Sequence, residues 1–341
     1  MGLFGSKKSP IVISVFGKTD LGRTRDHNED SFLVADLTTK EASLQPTIRE
    51  HTLGPKGTLL LVADGMGGAA SGEVASQMAI DTVYNHLLET WCVEESTAPE
   101  QFATRIREAV EETNRRIHTA ARETPEHKGM GTTATAVGLL GPHLYVAQVG
   151  DSRAYLIRDK QATQLTKDQS LMQRLIDAGE LTEEEAEKSE RRNIILQALG
   201  PDLKVRVDLT QQPVRRGDML VICSDGLSGQ VKKEEIAEIV CDPANDLVET
   251  CSELIDLANA RGGPDNITVI VARLGGDGLS EANSDDQVGH QPYHLLDGES
   301  TTEPVPIYTG SPPPEPKGGA LALVVASLAT LGLAAAIYLL T

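Results

Sequence analysis

Leu59-Leu60-Leu61-Val62-Ala63-Asp64-Gly65-Met66-Gly67-Gly68 is the stretch whose reading decides the fold. Its five leading apolar residues have the length and branching of a buried strand, and they deliver Asp64 into a glycine-rich turn before a helical pattern resumes near Glu73. Glycine carries no Cβ and tolerates positive φ, so backbone carbonyls in that turn approach a ligand closely. A solvated acid at a tight turn is the plain reading of one such motif. The arrangement recurs. Asp225 of Ser224-Asp225-Gly226 follows the run Met219 to Cys223, Asp151 of Gly150-Asp151 follows Leu144 to Val149, and Asp265 of Pro264-Asp265-Asn266 immediately precedes Ile267 to Val271. Four aspartates therefore sit at strand ends.

Outward from these runs, strand groups alternate with helix pairs. Val74, Met78, Val83 and Leu87 recur at helical spacing, and Phe102, Ile106, Val110, Thr113 and Ile117 do so again, as core-facing stripes. The segment 131–158 is strand-rich, turning at Gly141-Pro142 and at Gly150-Asp151-Ser152, and short turns join antiparallel neighbours. Helices are expected near Lys233 to Val240 and Asp246 to Ala260, with a last strand at Ile267 to Leu274. This is not the βαβα rhythm of a parallel sheet, and it places the chain in the α+β class. Residues 36–57, interrupted by Pro46, Gly54, Pro55 and Gly57, read as a surface hairpin or loop without chemistry. Thr166 to Gly200 is a charged helical insertion, either a mobile flap or a plain surface helical hairpin, in which Thr182 caps a short helix with Glu183 to Glu185 in its first turn.

The chain has 341 residues, 40% of them apolar, enough for one large domain or two small ones. A net charge of −19 argues against binding nucleic acid and against docking by charge onto an anionic membrane surface. Cys92, Cys223, Cys241 and Cys251 show no CxxC spacing, and with no signal peptide a reducing cytosolic compartment fits best. The N-terminal tail 1–10 begins Met1-Gly2-Leu3-Phe4-Gly5-Ser6, which matches the short myristoylation pattern but is read first as a frayed end. A polar loop, Arg25-Asp26-His27-Asn28-Glu29-Asp30, lies between the apolar runs Ile11 to Phe16 and Phe32 to Ala35. It is either a solvated connection or, beside the aspartates, a source of a planar fork for phosphate in Arg25 and of oxygen ligands in Glu29 and Asp30.

After Leu274 the composition changes. Residues 275–319 hold seven prolines, and 276–317 carry eight acids against one lysine, which reads as a disordered acidic, Pro-rich linker. Residues 320–340 are 21 uncharged residues, about 31 Å as a helix at roughly 1.5 Å per residue and long enough for a bilayer core. The expectation is a single-pass C-terminal transmembrane anchor with the catalytic mass at 11–274 left in the cytoplasm, and a truncation after Leu274 that keeps activity. Gly332 and Ala336 form a small-xxx-small pair within that span.

Arg25-Asp26-His27-Asn28-Glu29-Asp30, Ala63-Asp64-Gly65-Met66-Gly67-Gly68, Gly131-Thr132-Thr133, Val149-Gly150-Asp151-Ser152-Arg153, Ser224-Asp225-Gly226-Leu227 and Pro264-Asp265-Asn266-Ile267-Thr268 resemble the ordered motifs of the bacterial PP2C-type (PPM) protein serine/threonine phosphatases. The resemblance spans about residues 11–274 and implies an αββα sandwich of two antiparallel sheets flanked by helices. It implies that Asp64 bridges two metal ions, that the Gly65 carbonyl joins it, that Asp225 and Asp265 complete the site, and that Asp151 serves a third ion. Glu29 and Asp30 would hold metal-bound waters, Arg25 would grip the substrate phosphate, and about 166–200 would be the flap. It further implies phosphorylated Ser/Thr proteins as substrates and an opposing serine/threonine kinase.

The residue chemistry agrees. Clustered carboxylates without a cysteine or histidine pair favour hard, oxygen-loving ions, hence Mn²⁺ or Mg²⁺. Two such ions acidify a shared water and clamp an in-line displacement at phosphorus without a phosphoenzyme. Cys223 lacks the arginine six positions on that cysteine phosphatases need, since Gly229 stands there, and it reads as core. Many eukaryotic relatives carry histidine where Met66 stands, and relatives often carry histidine where this chain has Gln169. A phosphatase-fold sensor or scaffold without turnover is disfavoured by the intact acid set, and hydrolysis of another phosphoester stays open.

Overall fold

The computed structural model describes residues 9–43, 49–67 and 71–295. In chain order its strands are β1 Val12–Asp20, β2 Asp30–Asp36, β3 Glu41–Ser43, β4 Arg49–Thr52, β5 Thr58–Met66, β6 Gly131–Thr132, β7 Ala134–Leu140, β8 His143–Val149, β9 Arg153–Arg158, β10 Gln161–Gln164, β11 Asp208–Pro213, β12 Met219–Cys223 and β13 Ile267–Gly275. The helices are α1 Ser71–Glu89, α2 Pro99–Glu123, α3 Leu171–Asp177, α4 Glu183–Glu187, α5 Asp225–Ser228, α6 Lys233–Val240 and α7 Leu247–Ala260.

The alternation of side chains along a strand explains the layering. On β5, Leu59, Leu61 and Ala63 face a cluster supplied by α1 and α2, whereas Leu60 and Val62 face the opposite sheet. On β13, Ile270, Ala272 and Leu274 join that same inter-sheet core, whereas Ile267, Val269 and Val271 pack under α6 and α7. Both strands are covered on two faces, which is why their sequences are continuous apolar runs rather than alternating ones. One sheet runs β10-β9-β12-β13-β1-β4 and the other β11-β8-β7-β5-β2-β3, with β6 paired to the end of β5. Neighbouring strands are antiparallel throughout these ladders. The result is the expected sandwich of two antiparallel sheets between helical layers.

Local signals carry through. The α2 stripe Phe102, Ile106, Val110, Thr113 and Ile117 is buried, with Pro99 opening the helix, where a missing N–H costs nothing. Thr182 caps α4, its side chain accepting from the Glu185 N–H while Glu185 reaches back to the Thr182 N–H. Cys223 lies wholly inside, and burial pushes its thiol up to about 12, so it is packing material.

Three readings change. Residues 36–57 contribute strands to two different sheets, β3 to β2 and β4 to β1, rather than one hairpin. β5 runs on through Asp64 and Gly65 to Met66, because β6 pairs with its last two residues. The linker does not begin at Gly275, since residues 276–295 lie on the folded domain. Leu279 is fully buried between the sheets, Arg215 Nε and Nη2 donate to Asp286 at 2.8 and 2.5 Å, and Tyr293 packs edge-on against Tyr145 at 5.6 Å between ring centroids. The Gln211 N–H donates to the Gln291 carbonyl and the Tyr293 N–H to the Leu209 carbonyl, so 291–293 extends the β11 edge.

Among the described residues, no helix is long and apolar enough to cross a membrane. The expected span 320–340, the remainder of the linker, the Met1-Gly2 pattern and Gly68 all lie outside the described residues.

Candidate active site

Register brings the acids together. Asp30 at the start of β2 pairs directly with Asp64 on β5. Val149 ends β8 just before Asp151, Cys223 ends β12 two residues before Asp225, and β13 begins two residues after Asp265. Strand ends from both sheets thus meet at one edge of the sandwich, where Asp64, Asp225 and Asp265 keep partial exposure to solvent.

Each acid is held by its own contacts. Ser224 Oγ and Thr268 Oγ1 donate to Asp30 Oδ2 at 2.8 and 2.7 Å. The Asp64 N–H donates to Thr133 Oγ1, and the Asp64 carbonyl accepts from the Thr133 N–H and from Thr132 Oγ1 at 2.8 Å each. Asn266 staples the polar loop down: its Oδ1 accepts from the Glu29 N–H, and its Nδ2 donates to the Leu21 and His27 carbonyls. Gly65 must be glycine here, since a Cβ would stand 2.2 Å from the Gly72 carbonyl oxygen and 2.5 Å from that of Glu29. Arg25, half exposed, donates from Nη2 to Asp265 Oδ2 at 2.8 Å, and this bond holds its guanidinium above its ordinary range.

The electrostatics are those of crowded carboxylates. Burial pushes the Asp30 carboxyl up to about 7, against the opposing pull of the Thr268 and Ser224 hydroxyls. Burial, with Asp225 and Asp168 adding, takes Asp151 to about 8. Asp64 keeps an edge to solvent at the bottom of the bowl, yet the dense protein around it and then Asp30, Asp225 and Asp151 hold it well above the carboxylate range. Asp225, within hydrogen-bonding reach of Asp64, is raised by burial and by Asp265. Glu29 is raised chiefly by burial. Like charges gathered where water solvates them poorly disfavour full ionisation unless cations join them.

The donor set fits divalent ions. Glu29 Oε1 and Asp151 Oδ1 are buried without a hydrogen-bond partner, an arrangement that is costly for a folded chain and is relieved by a bound cation or its waters. All candidate ligands are oxygens, which suits Mn²⁺ or Mg²⁺. Among the described residues, no three His, Cys, Asp or Glu side chains already close into a cage. The acids ring an open bowl, and Asp265 is paired to Arg25 within it.

All the acids singled out in the sequence, together with Gly65 and Arg25, converge on this edge. Asp151 differs in setting, because its turn is held from the flap side: the Gly150 N–H donates to Gln169 Oε1 at 2.9 Å, and the Gln169 N–H donates to the Gly150 carbonyl. Sequence reasoning assigned no role to Ser224, Thr268, Thr133, Asn266 or Gln169. The first four lie within the quoted motifs, and that was the available signal; Gln169 stood out only as a departure from the histidine of relatives.

A family model described as protein phosphatase 2C matches residues 45–265. The chain is 38% identical over 254 residues to a serine/threonine phosphatase stp of Listeria monocytogenes, covering 74% of this chain and 93% of that protein. It is 36% identical over 262 residues to the serine/threonine protein phosphatase PstP of Mycobacterium tuberculosis, covering 77% of this chain and 45% of that one. Among solved structures, the catalytic domain of PstP in complex with two manganese ions superposes with a TM-score of 0.63 at 37% identity, covering 78% of this chain and 99% of that one. The serine/threonine phosphatase of S. agalactiae gives a TM-score of 0.67 at 32% identity, covering 76% and 99%.

Proposed function

The chain belongs to the protein phosphatase 2C family and is a metal-dependent serine/threonine phosphoprotein phosphatase, and from that premise we propose how its residues divide the work. The observation that carries the reading is the open bowl of acids at the sandwich edge, with Glu29 Oε1 and Asp151 Oδ1 buried and unpartnered. Asp64, the Gly65 carbonyl, Asp225 and Asp265 would hold two divalent ions, Mn²⁺ or Mg²⁺, and Asp151 a third. Such ions supply an acidified water as nucleophile and neutralise phosphoryl charge, with no phosphoenzyme.

The protein's own residues do the rest. Glu29 and Asp30 orient water at the floor of the bowl, and Ser224 and Thr268 fix the Asp30 carboxylate for it. Arg25, exposed on one side of its pairing with Asp265, turns its fork to the substrate phosphate and binds it in the ground state. Met66 has no proton to give, so the serine or threonine oxygen would take its proton from water or leave with the stabilisation of the ions alone. Residues 166–200 form the flap beside the bowl.

We further propose that 320–340 anchors the enzyme in a membrane with residues 11–295 in the cytoplasm, facing phosphoproteins made by an opposing serine/threonine kinase. The support is the uncharged 21-residue run with Lys317 on its near side. The test of function is release of phosphate from phosphoserine and phosphothreonine peptides by the full chain with Mn²⁺, compared with chelator and with small phosphoesters. Turnover confined to small phosphoesters, or undiminished by chelation, sinks the reading. Fractionation of cells expressing the full chain tests the anchor, and recovery in the soluble fraction sinks that part alone.

A further inference from the structure

Gln169 stands on the outgoing limb of the flap, shortly after β10, and is buried. Its backbone N–H donates to the Gly150 carbonyl at 2.9 Å, and its own carbonyl accepts from the Leu196 N–H at 2.8 Å. The side chain works at both ends. Oε1 accepts from the Gly150 N–H at 2.9 Å and from Gln197 Nε2 at 2.7 Å, while Nε2 donates to Asp208 Oδ2 at 2.8 Å and toward the Arg206 carbonyl at 3.4 Å. Gln197 in turn grips the Arg206 backbone, donating to its carbonyl at 2.7 Å and accepting from its N–H at 2.9 Å.

Four segments therefore meet on one amide: the outgoing limb of the flap at 169, its returning limb at 196–197, the approach to β11 at 206–208, and the turn at Gly150 that carries Asp151. Gly150 has both of its backbone polar groups held by the same residue. It has little freedom elsewhere, since its φ is +103° and a Cβ there would lie 2.6 Å from Thr133 Cγ2. The amide is suited to the task because it presents an acceptor and a two-proton donor at once. A neutral imidazole has one of each and cannot take the Gly150 and Gln197 donors while also serving Asp208.

We infer that Gln169 is a positioning residue that couples the seating of the flap to the orientation of the Asp151 turn. Disturbing either limb of the flap moves the Gly150 peptide, and with it the carboxylate one residue on. The consequence for metal rests on the reading of Asp151 as a ligand; the coupling itself does not.

Two single variants and one double variant test this. Gln169→Leu removes every side-chain hydrogen bond of the set and leaves its two backbone ones. Gln169→Glu keeps an acceptor for Gly150 and Gln197 but sets a carboxylate against Asp208, and Gln169→Glu with Asp208→Asn returns an N–H donor to that contact. In the metal-free protein, both single variants should exchange the Gly150 and Leu196 amides about tenfold faster, since one to two hydrogen bonds are lost. Trypsin should nick the flap after Arg191 and Arg192 correspondingly faster, and the double variant should return both readings most of the way to the parent. In the loaded enzyme, the Mn²⁺ concentration for half-maximal turnover should rise severalfold in the single variants, with two ions still counted by calorimetry.

Unchanged exchange and nicking in the single variants overturns the inference. So does a double variant that melts like the parent but exchanges no more slowly than Gln169→Glu. Should Gln169→Leu fail to fold, the Gln169→Glu pair decides. Altered exchange with rescue, but an unmoved Mn²⁺ dependence, upholds the coupling and removes Asp151 from the ligand set.

Discussion

Asp64 and Asp151 serve the same bowl but are held in different ways. Asp64 lies inside β5, with its backbone paired across to Asp30 and its carbonyl tied to Thr132 and Thr133, so moving it means breaking a central ladder. Asp151 stands on a turn whose peptide is fixed by a side chain at the root of the flap. One half of the site is set by strand register and the other by a polar contact that can be made and unmade. On the proposed assignment, a metal site built this way would keep its core ions while its outer acid answers to movement at the surface.

The largest expected effect breaks the comparison if it fails. On the proposed assignment, Asp64→Asn removes a charge that the paired ions would share and should lower kcat roughly a thousandfold or more, since several kcal/mol of charge stabilisation would be lost at 1.36 kcal/mol per tenfold. Added Mn²⁺ should restore little. Asp151→Asn should leave two ions measurable by elemental analysis while turnover drops and depends more steeply on Mn²⁺. Similar behaviour of the two variants would erase the distinction between strand-held and turn-held acids.

Truncation sharpens it from the turn side. A chain ending at Leu274 loses buried Leu279 and the Tyr293–Tyr145 pair, about 3 kcal/mol together, and with them a support of β11 next to Asp208. We expect a fall in Tm of about 6 °C or more and a raised Mn²⁺ requirement, whereas a chain ending at Leu295 should match the full domain. Equal melting of the two truncations would return residues 276–295 to the status of a spacer.

The pH dependence bears on both halves. Asp30 at about 7, Asp151 at about 8 and Asp64 above its ordinary range all bind protons more tightly folded than unfolded, where an aspartate titrates near 3.9. The metal-free fold therefore loses stability as pH rises from about 4 to 8. We expect a metal-free Tm at least several degrees lower at pH 8 than at pH 5.5, and Mn²⁺ should flatten or invert the slope. A metal-free Tm that rises across this window would mean the acids are not crowded as described.

The smallest effect concerns Arg25. Arg25→Ala should raise KM for a phosphopeptide about fivefold with kcat little changed, because the proposed charge-assisted ground-state contact would be lost. A fall in kcat at unchanged KM would place its contribution in the transition state instead.

The sandwich was legible because each strand that carries an acid is buried on two faces and so stands out as a continuous apolar run. β5, β12 and β13 are visible for this reason, and the acids beside them are visible as the first polar residues after them. That these acids belong to one site was not readable from spacing, since Asp64 and Asp265 lie two hundred residues apart; the likeness to known motifs supplied the grouping. The strap at 276–295 was misread because its composition is that of a spacer. It attaches through four aperiodic apolar residues, Leu279, Val288, Tyr293 and Leu295, the carboxylates of Asp277, Glu281 and Asp286, and backbone pairing, none of which leaves a periodic trace. Gln169 was noticed only as a departure. A neutral amide in a loop announces nothing until the four segments it joins are seen together.

The pairing of 291–293 with β11 also bears on how the molecule behaves in a crowded solution. An open β11 would offer a row of free donors and acceptors, the usual seed for sheet-to-sheet accretion between molecules. The residue that closes the row is Pro292, bridged to Thr210, with the flanking hydrogen bonds of Gln291 and Tyr293 turned inward to β11. At that position an ordinary residue would turn its own N–H outward, and proline has none to turn. Growth of the sheet stops there for want of a donor, so the strap confers colloidal stability on a surface where a bare edge would invite precipitation.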